Sequence, residues 1–159
     1  MSDTPTPLPH SGNASQKNEG GGRGGHALDA TLTSSRVCGS CTACCTVLKV
    51  DEIAKEEYQP CVHLKADCNG CSIYGTRYEI CRVYKCAWLL GAWEESDRPD
   101  KRGVLTQEQV VNGEWTGAIE FVEVVHGKLA SPAVRAMIDA VSGSGYKAIL
   151  KARRFVSRD

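Results

Sequence analysis

The sequence has no excess of either charge: nineteen Lys and Arg residues balance nineteen Asp and Glu residues. A protein that grips a phosphate backbone carries a basic surplus, so nucleic acid is not an expected partner. The local exception is "KARRFVSR", where Lys151, Arg153, Arg154 and Arg158 cluster; a solvated terminal segment accounts for it. Long apolar runs are also missing. No stretch approaches the roughly eighteen residues of a membrane-spanning helix, and no membrane partner is expected. The start lacks the basic and then apolar pattern of a secretory leader. The expected location is therefore the cytoplasm, where thiols are held reduced. A Gly-rich loop between a strand and a helix, as a nucleotide-like cofactor would need, is absent too. "SGSG", residues 142 to 145, closes a helical pattern and opens "YKAIL", which makes it a connector.

Apolar residues are almost missing from "MSDTPTPLPHSGNASQKNEGGGRGGHALDA". Such a composition cannot bury enough surface to fold, so residues 1 to 35 read as a disordered tail. The remaining chain suits a single domain over 36–157, with a cysteine-rich part at 36–95 and a strand-rich part at 96–157. Cysteine is absent from everything after position 86.

The chain does hold a concentration of thiols. "VCGSCTACCTV" carries Cys38, Cys41, Cys44 and Cys45; Cys61, Cys68, Cys71, Cys81 and Cys86 lie downstream. A disulfide framework would spread over the fold and use an even number. Nine cysteines in one half, in a reducing compartment, point to metal ligands instead. Two intervening residues let both thiolates of a C-x-x-C turn reach one ion. Here the turn repeats as Cys38-x-x-Cys41-x-x-Cys44, the rhythm that opens a bacterial ferredoxin loop. Adjacent side chains diverge, so Cys45 either serves a second metal or caps the site. Cys68 makes the count odd, and core filler or a free thiol describes it as well as a ligand does. His63 beside Cys61 reads as an outer partner of a ligand rather than a ligand. His10 and His26 lie in the tail, and nothing near His126 argues for ligation.

Eight thiolates suit two tetrahedral zinc ions or one iron-sulfur cluster with thiols to spare. Ligand softness does not separate them; the three-at-a-time rhythm favours iron-sulfur. An iron-sulfur centre implies redox work, either as an oxidoreductase or as an accessory to another enzyme. Zinc closed by four thiolates implies folding free energy and a protein-interaction surface. A small-molecule substrate is left open.

The run C-x-x-C-x-x-C-C, then "CVHL", "CSIY" and "CRVYKC", resembles the YkgJ-type cysteine-cluster family of zinc- or iron-chelating domains. The likeness extends through Trp88 and "RPDKRGV" over most of positions 36 to 150. It implies metal ligation by Cys38, Cys41, Cys44, Cys45, Cys61, Cys71, Cys81 and Cys86. Cys68 is extra to the pattern. Where the family tends to carry Arg-Pro, this chain has Arg77-Tyr78, which implies a changed local turn. The family includes a flagellin lysine methylase, so the resemblance also admits a protein-lysine methyltransferase-related enzyme.

Outside the cysteine loops, "VDEIAKEEYQP" reads as a short helix capped by Asp51 and stopped by Pro60. A helical turn ending near Cys86 is expected over "CRVYKC", because positions five apart do not share a helix face. Trp88 and Trp93 read as core. "GVLTQEQVV", an Asn112-Gly113 turn and "GAIEFVEVVHG" make a hairpin. Glu120 and Glu123 within it read as a solvated strand face rather than an acid-base pair. Ser131 and Pro132 start a helix that buries Val134, Ile138 and Val141, with Met137 beside them. The expected fold is α+β: a small cysteine-ligated metal module plus a short antiparallel sheet with one packed helix.

Overall fold

A computed structural model describes residues 34–153. Of the expected tail over residues 1–35, residues 1–33 lie outside the described residues, as do the basic residues Arg154 and Arg158. Short helices α1 (Ala43–Val47), α2 (Glu79–Val83) and α3 (Pro99–Arg102) stand among the cysteine loops and just after them. Strands β1 (Val104–Val111) and β2 (Glu114–Glu123), helix α4 (Pro132–Gly143) and strand β3 (Lys147–Lys151) complete the order. The architecture is α+β.

The hairpin forms where the turn residues demand it. Asn112 and Gly113 take φ of +53° and +81°, the pair of positive angles that matches a two-residue turn to the twist of its strands. β1 and β2 pair antiparallel, with Thr106 opposite Phe121 and Gln107 opposite Glu120. β3 corrects the expectation of an all-antiparallel sheet: it joins β2 in parallel, in the order β1-β2-β3. The cause is α4. A helix inserted between two strands returns the chain to the end where it began, and the second strand then runs with the first.

Helix α4 starts at Ser131 with Pro132 in its first turn. Its buried residues are Val134, Met137 and Val141; Met137 occupies the inward line, while Ile138 is half-buried. These pack into the same apolar cluster as Phe121, Leu105, Trp88 and Trp93. The cysteine loops and the sheet thus share a core, to which α1 adds Ala43 and Val47.

The segment after Cys86 straps the cysteine loops to β1. Ala87 N–H donates to Thr106 O at 2.8 Å, and Trp93 Nε1 donates to Thr106 Oγ1 at 2.8 Å. Trp93 also meets Phe121 edge-on, with ring centroids 6.5 Å apart. Both indoles are core residues, as the sequence implied; Trp88 Nε1 donates to Glu94 O at 3.1 Å.

Two expectations are corrected. "VDEIAKEEYQP" makes only one 3-10 turn, Asp51–Ile53, because Ala54 takes a left-handed φ of +50°. The backbone then closes on itself, with Val50 and Lys55 exchanging N–H···O bonds at 2.9 and 3.0 Å. Glu120 and Glu123 are buried rather than solvated, because the C-terminal half of β2 is covered on both faces. Glu120 accepts from Gln107 Nε2 at 2.9 Å and pairs with Lys151 at 3.0 Å. Glu123 accepts the backbone N–H of Arg153 at 2.9 Å. Lys151 and Arg153, half of the basic cluster, are thus engaged within the fold.

Among the described residues no helix is long and apolar enough to cross a membrane.

Candidate metal centre

The thiols converge from four separate segments. Cys38 and Cys41 lie in the turn before α1, closed by Cys41 N–H to Cys38 O at 2.9 Å; Cys44 and Cys45 stand on α1. Cys61 is held to α1 by its N–H, which donates to Cys45 O at 2.9 Å. Leu64 and Cys71 pair as a bridge across a small loop. The tip of that loop carries Cys68, exposed and at φ +55°. Cys81 lies on α2. The helix stops at Val83, so Cys86 falls in the next turn, buried against the core. This agrees with the expected break between the last two thiols.

A cavity of about 80 Å³ is lined by Cys38, Cys41, Cys44, Cys45, Cys61, Cys71 and Cys81. A smaller one, about 30 Å³, is lined by Cys38, Cys41, Cys44, Cys81 and Cys86. All eight thiols expected to act together therefore line this pair of cavities, and Cys68 lines neither. His63 lines the larger one, its Nε2 3.2 Å from Tyr78 Oη. Among the described residues no group of three or more His, Cys, Asp or Glu side chains forms a cage for one metal ion. The sulfurs surround a space rather than a point.

Tyr78 adopts φ −53° and ψ 153°, within the range that a proline would impose, and it precedes α2 directly. Its neighbour Arg77 stacks over Tyr74, 3.7 Å from the ring centroid, and lines both cavities.

Hydrogen-bond donors point at the sulfurs. Cys61 Sγ accepts the N–H of His63 at 3.4 Å. Cys41 accepts from the backbone of Ala43 and Asp100, and Cys86 from Leu89 and Trp88. Asp100 is positioned by Arg98, whose guanidinium grips the carboxylate with two bonds of 2.7 Å. A further Arg98 bond of 3.1 Å reaches Ser40 Oγ. The "RPDK" segment thus buttresses the first cysteine turn from outside.

Electrostatics divide the thiols. Burial pushes Cys86 up to about 11, against the opposing backbone donors. Burial also raises Cys41 and Cys81. The thiol of Cys44 donates to Cys45 and holds it down at about 7, opposed by burial and aided by the charges of Lys55 and Arg77. The same contact, then burial, raises Cys44 well above its ordinary value.

Lys55 gave no signal in the sequence. It is 4 % exposed, and burial lowers its pKa against the pull of Cys61, Cys45 and Cys44. Tyr84 was equally silent: half-buried beside the thiols, it donates to Gln107 Oε1 at 2.7 Å. Neither residue belongs to a recognisable spacing, and each acquires its place only through the return of the chain.

No protein-family model, curated protein or solved structure matches this chain.

Proposed function

We propose that the protein binds a thiophilic metal through Cys38, Cys41, Cys44, Cys45, Cys61, Cys71, Cys81 and Cys86. Iron in an iron-sulfur cluster is the first choice of centre and zinc the second. The observation that carries this reading is the segregation of thiols: eight line two adjoining cavities, and the ninth, Cys68, stands apart and exposed. Cysteines serving merely as small core residues would be scattered through the fold.

The donor set fits such a group. It is all sulfur, which suits iron-sulfur clusters and zinc alike. Backbone N–H groups already face Cys41, Cys61 and Cys86, as thiolate ligation favours. Eight thiols line the two adjoining cavities, enough sulfur for a centre larger than one ion. Zinc is supported by the division of the thiols: Cys86 lines only the smaller cavity, and Cys45, Cys61 and Cys71 only the larger. That division suits two four-thiolate ions.

An iron-sulfur cluster would supply one-electron transfer, consistent with work as an oxidoreductase or as a partner of one; zinc would supply folding free energy. The chain's own residues hold the sulfurs in register, shield them with Tyr84 and Trp88, and place Lys55 and Arg77 beside them. The resemblance to the YkgJ-type family supports the same reading.

Anaerobic purification followed by iron, sulfide and zinc analysis tests it. Brown protein absorbing near ~400 nm with stoichiometric iron and sulfide supports the cluster. Colourless protein with about two zinc ions per chain supports the alternative. Folded protein free of both overturns the proposal.

A further inference from the structure

We propose that Lys55 is the buried counter-ion of the thiolate centre and sets how tightly the centre holds its metal. The inference rests on the metal-binding reading above. The Lys55 side chain turns inward, and its ammonium donates to the carbonyls of Leu48, of Glu56 at 3.2 Å and of Thr46 at 3.5 Å. The hydrogen-bonding needs of the group are met, because an ammonium has three donors. Its charge is not. Among the described residues no carboxylate forms an ion pair with Lys55; Glu57, whose charge reaches it most, is exposed.

A buried cation without an opposing charge is costly. The ammonium reaches the carbonyl of Thr46, the residue next to Cys45, and the charges that act on it most are those of Cys61, Cys45 and Cys44. As neutral thiols, the state of Cys45 only below about pH 7, they offset nothing. As metal-bound thiolates they supply the missing charge, since four thiolates on one Zn²⁺ leave a net charge of −2, and metal binding itself removes the thiol protons. Local topology enforces the meeting. The chain from Cys45 to Cys61 is a closed loop, tied by Cys61 N–H to Cys45 O at 2.9 Å, and Lys55 points into its interior. Arg77 offers a second positive charge near Cys45 and Cys81. Arg77 is only half-buried and stacks on Tyr74, whereas Lys55 is 4 % exposed.

A counter-ion has an effect that a simple structural lysine lacks: it acts with opposite sign in the two states of the protein. With metal bound, the ammonium stabilises the centre; with metal removed and Cys45 protonated, it is an uncompensated charge in the interior. The test compares full-length wild type, Lys55→Gln, which keeps donors and drops the charge, and Lys55→Arg, which keeps it. Each is purified anaerobically, and iron and zinc are measured across an EDTA titration. The melting temperature of the stripped protein is recorded alongside at about pH 6, where the Cys45 thiol, held at about 7, keeps its proton. For Lys55→Gln the EDTA concentration that removes half of the resident metal should fall about ten- to a hundredfold, the usual scale for losing an outer partner of a metal ligand. Its stripped form should melt at or above the stripped wild type, and Lys55→Arg should recover retention. Unchanged retention in Lys55→Gln overturns the inference while leaving the metal-binding reading intact. So does a stripped Lys55→Gln that melts below wild type, which marks a hydrogen-bonding role, or a Lys55→Arg that recovers nothing. Wild type isolated without iron or zinc sinks both.

Discussion

Chemically identical thiols behave differently here because their surroundings differ. Cys45 is held at about 7 by the Cys44 thiol, with Lys55 and Arg77 assisting, so in stripped protein it is substantially thiolate near neutral pH. Alkylation of a stripped Cys68→Ala variant at pH 7.5 should mark Cys45 before Cys41, Cys44, Cys81 and Cys86; mass spectrometry of the first product checks this. Removing exposed Cys68 clears a competing site and should leave metal content unchanged. Cys86 behaves oppositely, with burial raising it to about 11 from an ordinary 9.0. A raised folded pKa means that the folded chain holds its proton longer than the unfolded chain does. The contribution is therefore whole below pH 9 and lost as pH climbs from 9 towards 11. Relative to a stripped Cys86→Ala variant, stripped wild type should lose on the order of 2 kcal/mol across that window, measured by urea denaturation at each pH.

At the scale of elements, two loops must pass closely for the thiols to face one another. Gly70 makes that passage. Its φ is +99°, and a Cβ placed there would stand 3.1 Å from the carbonyl oxygen of Gly39, in the first cysteine turn. Backbone is on the other side, so nothing flexible can yield. Gly70→Ala should push the Cys61–Cys71 loop away from the Cys38–Cys41 turn and lower metal retention at least about tenfold. Far-UV circular dichroism from the sheet should stay unchanged, because Gly70 lies outside the strands. Comparable loss of the sheet signal would show that the loop contact holds the fold rather than the site.

At the scale of the whole molecule, the cysteine loops and the sheet are not separable layers. Trp88, Trp93, Cys86 and Ala43 from one side share a cluster with Phe121, Leu105 and Val134 from the other. A metal bound by the loops therefore stabilises the strands as well, by mass action on a single cooperative unit. Stripping the metal should lower the melting midpoint recorded by tryptophan fluorescence and by far-UV circular dichroism together. Two separated transitions, with the sheet unmoved, would contradict the shared core.

Much of this protein is readable from local pattern. The Asn112-Gly113 hairpin, the Ser131-Pro132 helix start and the break between Cys81 and Cys86 depend on neighbours along the chain, and each stands where the residues place it. The clustering of the thiols was legible for the same reason, but spacing alone did not set Cys68 apart, since Cys68-x-x-Cys71 is itself a C-x-x-C pair; only the fold leaves it outside the cavities that the other eight line. Long-range placement decided the rest. The parallel entry of β3, the burial of Glu120 and Glu123, and the inward turn of Lys55 each come from segments distant in sequence closing over a residue. Burial and charge belong to the folded surroundings of a side chain, and no spacing along the chain encodes them.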